Sequence, residues 1–174
     1  MSEARLLLVG LLLASLGCAS ATGKAGRDHS PHRTGVRDFA LRDLRGQTVR
    51  LSDHAGKVVL LSFWATWCGP CQTELSQLQT IWKRLRERGF ELLTIAIDPA
   101  DTESEVRRMA RRYGYEFPVL LDQETEVANR FNPTMDLPYS VLLDRRGAIA
   151  ARHQGFKPGD EKIVEEEILR LLGR

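Results

Sequence analysis

The chain has 174 residues, 43% of them hydrophobic and 28% charged. That is a globular balance, and it excludes collagen-like, coiled-coil and wholly disordered classes. Its 25 Lys and Arg against 23 Asp and Glu leave a net charge of +2, with no dense basic stripe, so nucleic acid is not an expected partner. Three cysteines are too few for a disulfide scaffold, and a domain of this length can bury a core without staples.

The first element is an apolar run, Leu6 to Leu16, too short for the roughly 20 residues of a bilayer span. Arg5 precedes it, offset by Glu3, and small residues follow. This is the order of a secretory signal; a buried helix of the fold is disfavoured by the polar, Gly-rich tract that comes next. Leu16-Gly17-Cys18 resembles the lipobox of bacterial lipoproteins, with Ser15 where Leu is usual. The resemblance implies lipidation at Cys18. The rival is Ala19-Ser20-Ala21, a cleavage site that discards Cys18 and releases a soluble protein. Residues 1–17 therefore read as a signal peptide of lipoprotein type, 18–36 as a flexible tether and 37–174 as the folded domain. Either route takes the chain out of the cytoplasm to the periplasmic side of a bacterial envelope. His29 and His32 in the tether lack a Cys or acid partner and read as solvated rather than metal-binding.

In the folded part, Phe39, Leu41, Leu44, Val49 and Leu51 alternate with polar residues around an Arg45-Gly46 turn, which predicts a hairpin. Lys57 to Trp64 is a continuous apolar run, as in a strand buried on both faces. Leu75, Leu78, Trp82 and Leu85 have helical spacing, and Gly89 ends that helix. Glu91 to Ile97 predicts a second buried strand. Thr102 with Glu105 predicts a capping box opening a helix to about Tyr113. Then come a strand at Phe117 to Leu121, a helix at Glu124 to Phe131 and a strand at Tyr139 to Leu143. A turn at Arg145-Arg146-Gly147 leads to a strand at Ala148 to His153, and a closing helix runs from Glu161 to Leu172. The early strands imply parallel pairing with right-handed crossovers, the late pair an antiparallel hairpin. The expected fold is α/β, a mixed sheet with helices on both faces.

Cys68 and Cys71 stand three apart, after a buried strand and at the start of a helix. Free N–H groups and the helix dipole at that place stabilise a thiolate at Cys68, the attacking species in disulfide exchange. Cys71, one turn in, is expected to resolve the mixed disulfide. Pro70 suits the first turn. Zinc would need two more ligands, and His54 and His153 are isolated. A purely structural disulfide would close too small a ring to stabilise the chain much. No metal and no cofactor is expected. Asp98 and Asp101 read as caps in a strand-to-helix loop rather than a metal-binding pair.

Trp67-Cys68-Gly69-Pro70-Cys71 matches the thioredoxin active-site motif, and Lys57 to Cys68 resembles the membrane-anchored or periplasmic thioredoxin-like proteins of the TlpA/ResA type. The resemblance spans about Val36 to Leu172. It implies a thioredoxin fold with an N-terminal hairpin extension and a thiol–disulfide oxidoreductase, with Cys68 as nucleophile and Cys71 as the resolving thiol. It also implies a cis-proline facing the pair, matched by Pro138 ahead of Pro118 and Pro133, with the Leu137 backbone pairing with an extended substrate segment. Trp67, Gly69 and Pro70 complete the implied substrate surface, while Trp64 belongs to the core. Glu74 stands where such proteins carry an acid near the thiols, a candidate proton relay; a solvated first-turn acid is the alternative. Two departures are Ser62, where thioredoxin has a buried Asp, and Ser76, where the family often has Pro and a kink. The implied partners are disulfide-containing exported proteins, as in cytochrome c maturation, and a membrane thiol protein that donates electrons. A thiol peroxidase is the alternative enzyme, although Thr66 is only two residues before Cys68 and no Pro lies nearby. A copper carrier or envelope binding module is the non-enzymatic alternative.

Overall fold

The computed structural model describes residues 36–173. Leu6 to Leu16, Cys18, His29 and His32 lie outside the described residues. Among the described residues no helix is long and apolar enough to cross a membrane.

A seven-stranded mixed sheet forms the centre. Strands β1 (Ala40–Asp43) and β2 (Thr48–Arg50) make the opening hairpin. Its turn is fixed by the Asp43 carboxylate, which accepts the Arg45 and Gln47 N–H groups at 2.8 Å, and by Gly46 at φ 81°. Strand β3 (Val58–Trp64) leads into helix α1 (Gly69–Leu85). Strand β4 (Phe90–Ala96), helix α2 (Glu103–Tyr113), strand β5 (Val119–Leu121) and helix α3 (Glu126–Phe131) follow. Strands β6 (Tyr139–Leu143) and β7 (Ile149–Gln154) and helix α4 (Asp160–Leu172) complete the chain.

The strand order is β2-β1-β5-β4-β3-β6-β7. β3, β4 and β5 are parallel, and β6, β7 and the hairpin are antiparallel. The hairpin thus extends a thioredoxin-like sheet at the β5 edge. All seven β3 residues are buried, because alternate side chains enter two cores. Val58, Leu60 and Trp64 pack with α1, α4 and Val106 of α2; Val59, Leu61 and Phe63 pack with α3, Phe39 and Leu51.

Local details depart from the sequence reading at two helix starts. Thr102 stands at the N-cap position of α2, but its side chain makes no cap and no capping box forms. After Pro99, in extended backbone at ψ 165°, residues Ala100–Thr102 form a 3-10 turn. Thr102 sits at φ −106°, ψ 9°, outside the extended backbone that a capping residue needs. Its hydroxyl donates to the Pro99 carbonyl at 3.0 Å instead, and Glu105 pairs with Arg108. Helix α3 starts two residues later than expected because Thr125 is left-handed, φ 56°. Its free N–H groups are taken by Asp122, which accepts from Val127 and Ala128 at 3.3 and 2.7 Å.

Candidate active site

Strand β3 ends at Trp64, and a tight turn, Ala65 to Cys68, carries the chain into α1. The Cys68 N–H donates to the Ala65 carbonyl at 3.1 Å and closes that turn. Cys68 is the N-cap of α1, with Gly69 and Pro70 as the first helical residues. Its sulfur takes the place of a capping oxygen, accepting the Cys71 N–H at 3.3 Å. Cys68 and Cys71 are joined as a disulfide, Cα to Cα 5.4 Å. Cys68 is 5% exposed and Cys71 is fully buried, so an attacking group from solvent meets Cys68 first.

Glu74 lies one turn beyond Cys71 and is 3% exposed. The solvated alternative is therefore not realised. Burial pushes its carboxyl up to about 7, partly opposed by the hydroxyl of Ser62. Ser62 donates to Glu74 Oε2 at 3.2 Å. Ser140, directly across from Ser62 on β6, brings a second hydroxyl close enough to lower the value but short of hydrogen-bond geometry. No cation pairs with Glu74 among the described residues. The sequence showed Ser62 as the loss of a buried Asp, whereas the structure shows it as the partner of Glu74.

The Leu137–Pro138 peptide is cis and immediately precedes β6, which pairs with β3. Among the described residues the Leu137 N–H and C=O have no hydrogen-bond partner, while the Pro138 carbonyl accepts from Gly155 at 2.8 Å. Trp67 is 69% exposed, whereas Trp64 is completely buried. Helix α1 runs unbroken through Ser76, whose hydroxyl donates to the Gln72 carbonyl at 2.9 Å.

Asp98 corrects the sequence reading. It caps no helix. It is 3% exposed, and its carboxylate accepts the Thr66 N–H at 3.1 and 3.2 Å and the Thr66 hydroxyl at 2.5 Å. The Thr66 hydroxyl that a peroxidase reading needs beside the cysteine donates to Asp98. Asp101, its presumed companion, is exposed. His54 is not isolated: its Nδ1 lies 3.4 Å from Glu91 Oε2, at the end of the sheet where β3 and β4 begin.

Residues 33–152 match the AhpC/TSA family. The thiol-disulfide oxidoreductase ResA of Geobacillus kaustophilus is 37% identical over 64% of this chain and 63% of its own length. ResA of Bacillus cereus is 34% identical over 78% of this chain and 70% of its own length. So the chain spans somewhat under two thirds of the first relative and slightly more of the second. Among solved structures, the thiol:disulfide interchange protein DsbE of Chlorobium tepidum is 32% identical with a TM-score of 0.74, covering 80% of this chain and 96% of that one. A disulfide at the N-cap of a helix on a thioredoxin-like sheet agrees with these names, and the chain belongs to the AhpC/TSA family, among its thiol–disulfide oxidoreductases.

Proposed function

We propose that this protein reduces disulfides in exported proteins on the periplasmic side of the envelope, held there by a lipid on Cys18, in a role like that of cytochrome c maturation. The observation that carries the reading is the asymmetry of the pair: an N-capping cysteine that keeps 5% exposure and a partner one turn in that has none. In the reduced protein the Cys68 thiolate faces the free N–H groups and positive end of α1. It attacks one sulfur of the substrate disulfide, and the other sulfur leaves as a thiolate. The Cys71 thiol then gives its proton to Glu74 and attacks Cys68. The second substrate sulfur leaves, and the Cys68–Cys71 disulfide forms. The substrate gains two electrons, and a membrane thiol protein restores the dithiol.

Glu74 suits the proton step because its affinity lies near neutrality, so it can take and return a proton at little cost. The free Leu137 backbone beside Pro138, with Trp67, Gly69 and Pro70, would hold an extended substrate segment by adding it as a short strand.

The test is the reduction potential of the Cys68–Cys71 pair in glutathione buffers, with insulin reduction by wild type and Cys68→Ser alongside. A reductase should sit near thioredoxin, about −270 mV, and Cys68→Ser should be inactive. A value near about −120 mV, as in DsbA, or reduction by Cys68→Ser at the wild-type rate, overturns the proposal.

A further inference from the structure

Asp98 is a buried carboxylate with no cation paired to it among the described residues. Such a group is expensive to bury. If its only task were to tie down a loop, a neutral acceptor would do so at lower cost. Its place suggests why the charge is there. It follows the β4 ladder directly: the Ile97 N–H donates to the Trp64 carbonyl at 3.0 Å, and the next residue is Asp98. Both of its oxygens grip Thr66, the second residue of the turn that Cys68 closes.

The turn is held from its other side as well. Gln72 Nε2 donates to the Thr66 carbonyl at 3.3 Å, and Gln72 Oε1 accepts from the Tyr113 hydroxyl at 2.8 Å. Tyr113 stacks on Tyr115, which meets the edge of Trp64. The result is a chain of contacts, Asp98–Thr66–Gln72–Tyr113, running from the end of β4 through the redox turn to the end of α2. It fixes Thr66, the middle one of the three residues between β3 and Cys68.

We infer that Asp98 is a positioning residue for the disulfide exchange: it fixes the Thr66 turn that presents Cys68, and its negative charge makes the Cys68–Cys71 dithiol a stronger reductant. The distance supports the electrostatic half. From the Thr66 Cα to the Cys68 Cα the chain can reach roughly 7 Å at most, and the closed turn shortens that. A buried charge so near is poorly screened. It opposes the dipole of α1 and makes the Cys68 thiolate less stable. Stabilising the thiolate form is what makes a dithiol pair oxidising; destabilising it has the opposite effect. Asp98 and the helix start therefore act on Cys68 in opposite directions, and the potential reflects both.

The experiment uses the full chain with Asp98→Asn. The pH dependence of Cys68 alkylation and the equilibrium with glutathione are measured. The alkylation midpoint should fall, and the equilibrium should move toward the dithiol by roughly tenfold, as expected for unit charges roughly 12 Å apart at an effective dielectric of about 20. For a two-electron couple that is a rise of about 30 mV. A folded Asp98→Asn protein with the wild-type midpoint and equilibrium refutes the inference. Should that variant not fold, Thr66→Ser keeps the hydroxyl that donates to Asp98 and Thr66→Val removes it. A displaced alkylation profile in Thr66→Val, restored in Thr66→Ser, supports the clamp; identical profiles in the two overturn it. These readouts are shifts relative to wild type. They hold whichever way electrons flow, so a failure here is separate from a failure of the reductase reading, which is judged by the absolute potential.

Discussion

Replacing Glu74 by Gln gives a direct measure of how far burial has moved this carboxyl. In the fold burial pushes it up to about 7, against an ordinary value of 4.5. The folded protein therefore holds a proton here at pH values where the unfolded chain has released it. The stabilising contribution is fully present below the unfolded value and is lost as pH rises through about 7. A displacement of that size corresponds to about 3 kcal/mol. Between about pH 5 and about pH 8.5, roughly 2 to 3 kcal/mol of stability should disappear from wild type on account of this group. Glu74→Gln, a neutral isostere that still fits against Ser62, should lack that loss. The assay is urea unfolding of the oxidised protein at both pH values, with the disulfide intact so that no thiol titrates. Near pH 5 the two proteins should be close in stability; near pH 8.5 the variant should be the more stable. If the difference between them is the same at both pH values, Glu74 is not a buried acid of raised affinity, and its part in the resolving step falls with it.

Glu91 makes the opposite prediction. Burial pushes its carboxyl up, but His54, the Lys57 ammonium at 3.0 Å and the Trp82 indole N–H at 3.1 Å outweigh that and hold it at about 2. Its contribution is present above the ordinary carboxylate value of 4.5 and is lost as pH falls toward about 2. Glu91→Gln should thus destabilise the protein at neutral pH by about 2 kcal/mol, seen as a lower urea midpoint, with the deficit shrinking in acid and the reduction potential unchanged. Trp67→Ala removes an indole that packs on nothing in the core. It should leave Tm within about 2 °C of wild type while lowering kcat/KM for a protein disulfide about tenfold.

The architecture was readable because its signals are local and redundant. Lys57 to Trp64 reads as a central strand since both of its faces are covered, and the Cys pair announces a helix start through Gly69, Pro70 and the apolar spacing that follows. What could not be read are the contacts that only the folded chain creates. Ser62 and Glu74 are 12 residues apart, Thr66 and Asp98 are 32 apart, and no pattern in either segment refers to the other. Asp98 looked like a cap because caps are what most Asp residues near a helix start become. A capping motif failed for a related reason. Thr102 and Glu105 have the right spacing, but Pro99 had already started a 3-10 turn, and the backbone at Thr102 could no longer serve.

Three buried or nearly buried carboxylates, set against one another, show how the fold separates stability from chemistry. Glu91, where β3 and β4 begin, is given a cation and an indole donor, so it stays charged over the whole working range and holds the base of the sheet together. Glu74, beside the resolving cysteine, is given only serine hydroxyls. Nothing there repays the loss of water, and its proton affinity rises to about 7, where a proton can be exchanged. Asp98 is given the N–H and hydroxyl of the turn before Cys68. Its donors are good enough to fix geometry, yet no counter-charge cancels its field. A buried carboxylate without a cation can be structural, as Asp122 is at the start of α3, so position has to decide the reading. Of Glu91, Glu74 and Asp98, the two that lack a cation are the two near the redox pair, where the proposed mechanism needs a proton moved and the inferred role of Asp98 needs a thiolate biased. Exchanging Ser62 for Lys should therefore abolish the raised affinity of Glu74 and slow the release of the mixed disulfide. If single-turnover resolution in Ser62→Lys keeps the wild-type rate, the resolving step does not use Glu74.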